Sequence, residues 1–188
     1  MSGIWPGDTQ CVVMLGFDVD GVSSWLNRNP DYAKLPSLMS MAEYGPSIAT
    51  PRILDMLDDH SIKASFYVPG YVAETHVELV KELDHRGHEV AHHGYMHEPP
   101  ATLSADQENE ILKRGISILG DITGTAPIGY RSPSWELSEH SVELLTSHGF
   151  IYDSSLMGDD APYMQASPNT GEEIVEIPIH WLLDDAPN

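Results

Sequence analysis

Short runs with strand character alternate along this chain with longer segments whose apolar residues repeat at helical spacing. The runs are rich in apolar and β-branched residues, and most end at glycine, proline or charged side chains. They cover residues 12–17, 64–68, 88–92, 126–130, 150–152 and 174–179. Runs of this length and composition predict β-strands, and the first is apolar enough to be buried on both faces of a sheet.

Helices are predicted between these strands, over 48–57, 74–86, 104–119 and 139–148. The second is followed by Gly87, the residue type that most often ends a helix. The third begins with Ser104 and Gln107, whose spacing matches a capping box. Residues 25–44 contain two prolines and are predicted to be irregular.

The alternation of strands and helices predicts the fold class. Strand, helix and strand in succession are typical of βα units around a parallel sheet or barrel. The chain has 188 residues, of which 41% are apolar, so it can bury the core of one domain. We therefore expect a single α/β domain over residues 1–188, built as a (β/α) barrel with its ligand site at the carboxyl ends of the strands.

The charge balance narrows the range of partners. There are 29 acidic and 9 basic side chains, which gives a formal charge of -20. Such a surface repels phosphate backbones and anionic lipid head groups, so neither nucleic acid nor a membrane is expected as a partner. The single cysteine, Cys11, cannot form an intramolecular disulfide, and residues 1–10 lack the pattern of a secretory leader. These features predict a cytoplasmic protein, with homo-oligomer formation left open.

Chemically active side chains cluster directly after three of the predicted strands. The segments are Asp18–Asp20, His93–His97 and Arg131–Trp135. The carboxyl ends of barrel strands lie at one face, so these segments are expected to converge there. His93 and His97 are four residues apart and would lie on one side of a helical turn, within reach of the same ion.

Two imidazoles and one of the two aspartates would leave coordination positions open, as a catalytic metal site requires. The ion would polarise an amide carbonyl, while the other carboxylate would take a proton from the attacking water. Zinc is the expected ion, although cobalt, iron or nickel would also suit these ligands. Each segment alone has an ordinary structural reading as well: acidic loop residues are commonly caps, Arg131 could pair with a surface acid, and Trp135 could fill the core.

Together the three segments resemble the motifs of the polysaccharide deacetylase family, also called carbohydrate esterase family four or the NodB homology domain. Phe17-Asp18-Val19-Asp20-Gly21 is similar to the family's Thr-Phe-Asp-Asp-Gly motif. Its spaced aspartates resemble a branch that includes a Helicobacter peptidoglycan-deacetylase-like protein and cofactor-independent allantoinases. His93-Gly94-Tyr95-Met96-His97 resembles His-Ser/Thr-x-x-His, and Arg131-Ser132-Pro133 resembles Arg-x-Pro. Tyr152-Asp153-Ser154-Ser155 and Glu176-Ile177-Pro178 also resemble this branch.

The resemblance implies a role for each matched residue. Asp18 would be the catalytic base, and Arg131 would orient and tune it. Asp20, His93 and His97 would hold one divalent metal ion.

The resemblance also implies a set of substrate-binding residues, namely Ser134, Trp135 and Tyr95. A backbone amide in the segment 133–135 would complete an oxyanion hole, and Trp135 would form a wall of the substrate groove. Gly94 stands where the family usually has a hydroxyl residue, and Tyr95 follows it. These departures favour a smaller substrate than a long open polysaccharide.

The function implied by the resemblance is a metal-dependent hydrolase of non-peptide carbon–nitrogen bonds, which removes N-acetyl groups from a sugar. Two alternatives stay open at this point. One is an intracellular hydrolase of cyclic imides or ureides, similar to allantoinases, and the other is a non-catalytic remnant that binds a metal or a sugar. The family normally continues beyond the position that matches Asn188, so the resemblance predicts a barrel that is incomplete on its C-terminal side.

Overall fold

A seven-stranded sheet lies at the centre of the computed structural model, which describes residue 5, residue 9 and residues 11–185. The strands are β1 (Gly16–Asp18), β2 (Ser65–Val68), β3 (Glu89–His92), β4 (Gly129–Tyr130), β5 (Tyr152–Asp153), β6 (Tyr163–Ala166) and β7 (Glu173–Glu176). Their order across the sheet is β1-β2-β3-β4-β5-β7-β6. Strands β1 to β5 pair parallel with one another in this order, and β7 pairs parallel with β5. Among the described strands only β6 is antiparallel to its neighbour, β7. The α/β class with a parallel sheet is therefore confirmed.

The register of the sheet aligns the strand ends that carry the candidate chemistry. Asp18 at the end of β1 is the Cα partner of Tyr67 in β2. Farther across the sheet, Tyr130 is the partner of Asp153, which is in turn the partner of Glu176. Within the described residues β1 and β6 are the outer strands, so the sheet is open along these two edges.

The helices cover the sheet and connect its parallel strands. Their bounds are α1 (Ser23–Arg28), α2 (Pro36–Tyr44), α3 (Thr50–Asp59), α4 (Gly70–Thr75), α5 (Val77–His85), α6 (Ala105–Thr123) and α7 (Ser141–Ser147). The predicted capping box is present at the start of α6, where Gln107 N–H donates to Ser104 Oγ at 3.3 Å and Ser104 N–H donates to Gln107 Oε1 at 3.0 Å. In the part of the chain that the structure describes, every helix is too short or too polar to cross a lipid bilayer.

Two expectations about local structure were wrong, and one strand was missed. The segment 25–44 is not irregular, because α1 extends into it, a 3-10 turn follows at Pro30–Lys34, and α2 fills the rest. Its two prolines occupy first-turn positions, where proline favours a helix start. The run 12–17 forms a strand only from Gly16 onward, and residues 12–15 are exposed. Strand β6 was not predicted, since an edge strand needs only one paired side and little apolar character.

The hydrophobic core lies between the helices and the sheet. One cluster packs α3, α5 and α6 against β2, with Leu54, Phe66 and Leu83 all fully or almost fully buried. A second cluster packs α6 and α7 against the middle of the sheet through residues that include Leu112, Tyr130 and Leu145. These apolar contacts fix the strand ends in place, so the loops that follow them start from rigid positions.

Gly115 in α6 permits a close contact between that helix and the sheet. A Cβ atom on Gly115 would lie 2.1 Å from Nε2 of His92, the fully buried last residue of β3. Nδ1 of His92 in turn accepts a hydrogen bond of 3.1 Å from the backbone N–H of Gly94. The packing of α6 is thus connected directly to the loop after β3.

We expect Gly115→Ala to lower the free energy of unfolding by about 1–3 kcal/mol, because the added methyl group overlaps the His92 ring. Gly120→Ala in the same helix is the matched control, since its Cβ would have no neighbour closer than 3.8 Å. Alanine there should stabilise the helix by up to about 1 kcal/mol. Chemical denaturation of both variants provides the measurement, and equal stabilities would contradict the packing argument.

Candidate metal and catalytic site

The structure brings Asp20, His93 and His97 together at the carboxyl ends of β1 and β3. One ligand atom from each residue lies within 4.8 Å of the others. Nε2 of His93 is 3.4 Å from Asp20 Oδ1, and Nε2 of His97 is 3.2 Å from Asp20 Oδ2. The spacing of the three groups therefore allows one ion to contact all of them.

The two histidines do not reach this position through a helical turn, so that part of the sequence-based argument was wrong. Residues 93–97 form an irregular loop, in which Gly94 has a φ angle of 69° and His97 a φ angle of 62°. These left-handed conformations fold the loop back on itself. The imidazole rings meet edge to face, with 5.1 Å between their centroids.

His93 is oriented for metal binding by the backbone of a neighbouring strand. Its Nδ1 lies 2.7 Å from the carbonyl oxygen of Arg131. A carbonyl can only accept, so Nδ1 carries the proton and Nε2 of the neutral ring presents its lone pair. Nε2 of His93 and Oδ1 of Asp20 are buried without a hydrogen-bond donor or acceptor of suitable geometry. Two buried, unsatisfied ligand atoms that face each other fit a bound cation.

The electrostatics of this cluster result from burial and from the ionic neighbours. Burial alone would raise the pKa of Asp20, but His93 and His97 hold it well below its usual range. Burial alone would lower the pKa of His93, whereas the nearby carboxylates of Asp18 and Asp20 raise it above the ordinary value. These carboxylates favour a proton on His93, and a divalent cation would compete with that proton for the lone pair of Nε2.

Asp18 lies beside this cluster and is held by Arg131. Nη1 of Arg131 donates to Asp18 Oδ1 at 2.8 Å, while the other carboxylate oxygen, Oδ2, is 4.0 Å from Nε2 of His93. One oxygen of Asp18 is thus fixed by a charged hydrogen bond and the other faces the cluster. The two aspartates of the first motif thus take different partners, and their separate roles stay a prediction.

Arg131 is itself fixed on several sides within the sheet. Its Nε donates to the carbonyl oxygen of Ser154 at 2.9 Å and its Nη2 donates to Ser154 Oγ at 3.0 Å. Its guanidinium carbon lies 3.9 Å from the ring centroid of Tyr67. Burial alone would lower the pKa of Arg131, but Asp18 and its other neighbours raise it, so the side chain stays cationic.

Two of the predicted substrate-binding residues, Ser134 and Trp135, lie in the loop that contains Arg131. Ser134 and Trp135 follow β4 with φ angles of 62° and 54°, and the Trp135 ring centroid is 5.9 Å from the Arg131 guanidinium. The N–H of Trp135 donates to the carbonyl oxygen of Ser132 at 3.0 Å, and Pro133 has no N–H. Ser134 therefore carries the remaining candidate N–H of the segment 133–135 for an oxyanion hole, which stays a prediction.

The side chain of Tyr95 is directed at the helical layer. Its hydroxyl donates to Glu74 Oε2 at 2.8 Å, and the Arg114 guanidinium carbon lies 3.4 Å from its ring centroid. A Cβ atom on Gly70 would come within 2.8 Å of the Tyr95 ring, so the ring packs tightly against the start of α4. These contacts give Tyr95 a structural function, and its substrate-binding role remains a prediction.

Several residues that support the site were missed by the reasoning from sequence. Ser154 belongs to a matched segment, but its two contacts with Arg131 could not be read from the sequence. Tyr67 appeared only as part of a predicted strand. Trp181 had no signal at all, yet its ring stacks on Trp135 with 4.1 Å between centroids.

Comparison with known proteins places this geometry in a family. The family model for polysaccharide deacetylase matches residues 33–152. The Helicobacter pylori peptidoglycan deacetylase is 34% identical over an alignment of 200 positions, which covers 95% of this chain and 68% of that protein.

Solved structures show the same relationship. A Mycobacterium smegmatis protein assigned as a polysaccharide deacetylase superposes with a TM-score of 0.91 at 42% identity, covering 96% of this chain and 63% of that one. An allantoinase superposes with a TM-score of 0.80 at 23% identity, covering 94% of this chain and 64% of the other, and at this identity the likeness concerns the fold alone. The chain thus spans about two thirds of the length of these proteins. From the matching family model and the Helicobacter relative it follows that this chain belongs to the polysaccharide deacetylase family.

Proposed function

We propose that this chain carries the site of a metal-dependent deacetylase, which hydrolyses the N-acetyl group of an amino sugar. One observation carries the proposal. Asp18, which accepts a hydrogen bond from Arg131, lies next to Asp20, His93 and His97, whose ligand atoms converge. A base beside a site for a Lewis acid is the arrangement that hydrolysis of an unactivated amide requires.

Asp20, His93 and His97 would hold the ion, and two nitrogens with one oxygen suit zinc, with cobalt, iron or nickel as other suitable ions. A divalent ion at this position supplies Lewis-acid chemistry, which polarises an amide carbonyl and makes water more acidic. The hydrogen bond from His93 Nδ1 to the Arg131 carbonyl keeps the ring in the orientation that binding needs.

Asp18 acts as the general base in this proposal. Its Oδ2 faces the cluster and takes the proton of the attacking water, while Oδ1 stays bound to Arg131. The guanidinium fixes the direction of the carboxylate, so the proton transfer needs no side-chain rearrangement. Arg131 thus positions the base and does not touch the substrate amide.

The substrate class is proposed from the relatives and from the aromatic residues beside the site. The Helicobacter relative is named for peptidoglycan, a polymer that contains N-acetylated amino sugars. The rings of Trp135 and Trp181 stack on each other beside the site, and the outward face of an aromatic ring can pack against the face of a sugar ring. We therefore propose an N-acetylated amino sugar of the peptidoglycan type as the substrate.

We expect the purified chain to bind one zinc ion, and His93→Ala to lose it, because the substitution removes a buried ligand. His85→Ala is the matched control, since His85 is exposed in the last turn of α5. Elemental analysis after dialysis against zinc measures the number of zinc ions bound per chain in each protein. Zinc bound equally by wild type and His93→Ala would contradict the ligand assignment.

We expect Asp18→Asn to lower the rate of acetate release from N-acetylglucosamine oligomers by about 10²–10⁴-fold, the usual contribution of a general base. The zinc content should stay unchanged, because Asp18 is assigned to proton transfer. Asp31→Asn, an exposed residue paired with Lys34, is the control and should retain wild-type activity.

A parallel assay with a cyclic ureide separates the two hydrolase hypotheses. Faster turnover of the ureide than of the sugar would overturn the deacetylase proposal in favour of a cyclic amidase. Zinc binding without turnover of either substrate would instead indicate a non-catalytic protein that retains the metal site.

A further inference from the structure

Two acidic side chains, Asp153 and Glu176, are buried side by side at the ends of β5 and β7. Both have 0% exposure, and their Cα atoms are direct partners in the parallel sheet. The mechanism proposed above uses neither of them. Two ionised carboxylates in contact within a protein interior are strongly unfavourable, so this pair needs a physical explanation.

The hydrogen bonds around the pair account for only one oxygen of each carboxyl group. Glu176 Oε1 accepts from the backbone N–H groups of Ser155 and Leu156, at 2.9 and 2.8 Å. Asp153 Oδ1 accepts from Ser155 Oγ at 2.6 Å. Asp153 Oδ2 and Glu176 Oε2 are buried and, as carboxylate oxygens, find no donor. A single proton between these two oxygens satisfies both of them.

Ser155 and the residue before it, Ser154, connect the pair to Arg131. Ser155 Oγ, which donates to Asp153, accepts from the backbone N–H of Ser132 at 2.8 Å. The residue before it, Ser154, provides the two acceptors for the Arg131 guanidinium. The segment 154–156 is thus fixed by the carboxyl pair on one side and supports Arg131 on the other.

We propose that Asp153 and Glu176 share one proton and act as a positioning pair for the base: together they fix the segment 154–156, which directs Arg131 toward Asp18. The inference rests on the proposed deacetylase function for its catalytic consequence. Neither acid touches the substrate or the cluster of Asp20, His93 and His97. Their effect on the reaction passes through Ser154 and Arg131.

The charged and titratable groups around the pair agree with one retained proton. Burial and the charge of Asp153 raise the pKa of Glu176 to about 9. Burial also raises the pKa of Asp153 above its ordinary value, although Arg131, the cation that faces the pair, opposes this rise. Tyr130 and Tyr163 also face the pair, and the acids raise the pKa of each phenol in addition to the effect of burial. One net negative charge therefore lies opposite the Arg131 cation.

Amide substitutions test the shared proton directly. In Glu176→Gln, the amide oxygen can still accept from Ser155 and Leu156, and the NH₂ group donates to Asp153 where the proton was. In Asp153→Asn, the amide makes the reverse contact with Glu176. Each single variant is expected to keep kcat/KM within about threefold of wild type. In the double variant two NH₂ groups face each other with no acceptor between them. Its kcat/KM should fall about tenfold or more, mainly through kcat, because Arg131 is no longer held in place.

Two further measurements do not depend on turnover. The infrared carbonyl band of a protonated carboxylic acid should disappear in either single variant and persist in Glu173→Gln, an exposed control on the same strand. The Arg131 Nε–H resonance, which reports the bond to Ser154, should keep its position in the single variants and shift in the double variant.

The stability of the pair has a defined pH dependence. A raised carboxyl pKa means that the folded state holds the proton more tightly, so this stability is present at low pH and is lost as the pH rises. For Glu176 the window runs from its ordinary pKa of 4.5 to about 9. Denaturation across this window should show a falling stability in wild type and a flatter profile in Glu176→Gln.

A double variant as active as the single ones, with an unshifted Arg131 resonance, would overturn the positioning role. Persistence of the carboxylic acid band in both single variants would overturn the shared proton. If the wild-type chain shows no deacetylation, the proposed function fails, while the infrared, resonance and stability measurements still decide whether the pair exists.

Discussion

A buried guanidinium holds together the carboxyl ends of this sheet. Arg131 follows β4 and binds Asp18 at the end of β1 and Ser154 after β5, while its carbonyl oxygen orients His93 after β3. A buried cation without partners would be strongly destabilising, so the fold must bring an anion and several acceptors to it. Asp18, the anion among these partners, is also the residue assigned to proton transfer. The contacts that satisfy the buried guanidinium are therefore also contacts that hold the site together.

The position of the site could be predicted from the sequence because parallel strands end at the same edge of a sheet. Asp18, His93 and Arg131 each come just after a recognisable strand, and parallel strands place such residues on one edge. The roles of Asp18 and Asp20 needed the family resemblance, since two aspartates separated by one residue have no preferred assignment. The structure then gave them different neighbours, Arg131 for the first and the two histidines for the second.

Local pattern was a poor guide where tertiary contacts decide the conformation. The loop 93–97 has helical spacing between its histidines, but Gly94 and His97 adopt left-handed angles that no spacing rule foresees. The contacts of Arg131 with Ser154 and of Asp153 with Glu176 join residues about twenty positions apart. A sequence shows that such polar residues exist in strand-like segments, but the partner of each depends on the order of strands in the sheet.

Left-handed backbone at residues other than glycine occurs in the described part of the chain at Ser61, His97, Ser134 and Trp135. The last three lie in the loops of the candidate site, and each such residue stores strain of roughly 1 kcal/mol or more. Glycine would relieve this strain, yet at His97 it would delete a proposed metal ligand and at Trp135 a proposed wall of the substrate groove. Substitutions that raise thermal stability by relaxing these loops would therefore impair the site. Stabilising substitutions are easier to accumulate in the helical layer, away from the proposed chemistry.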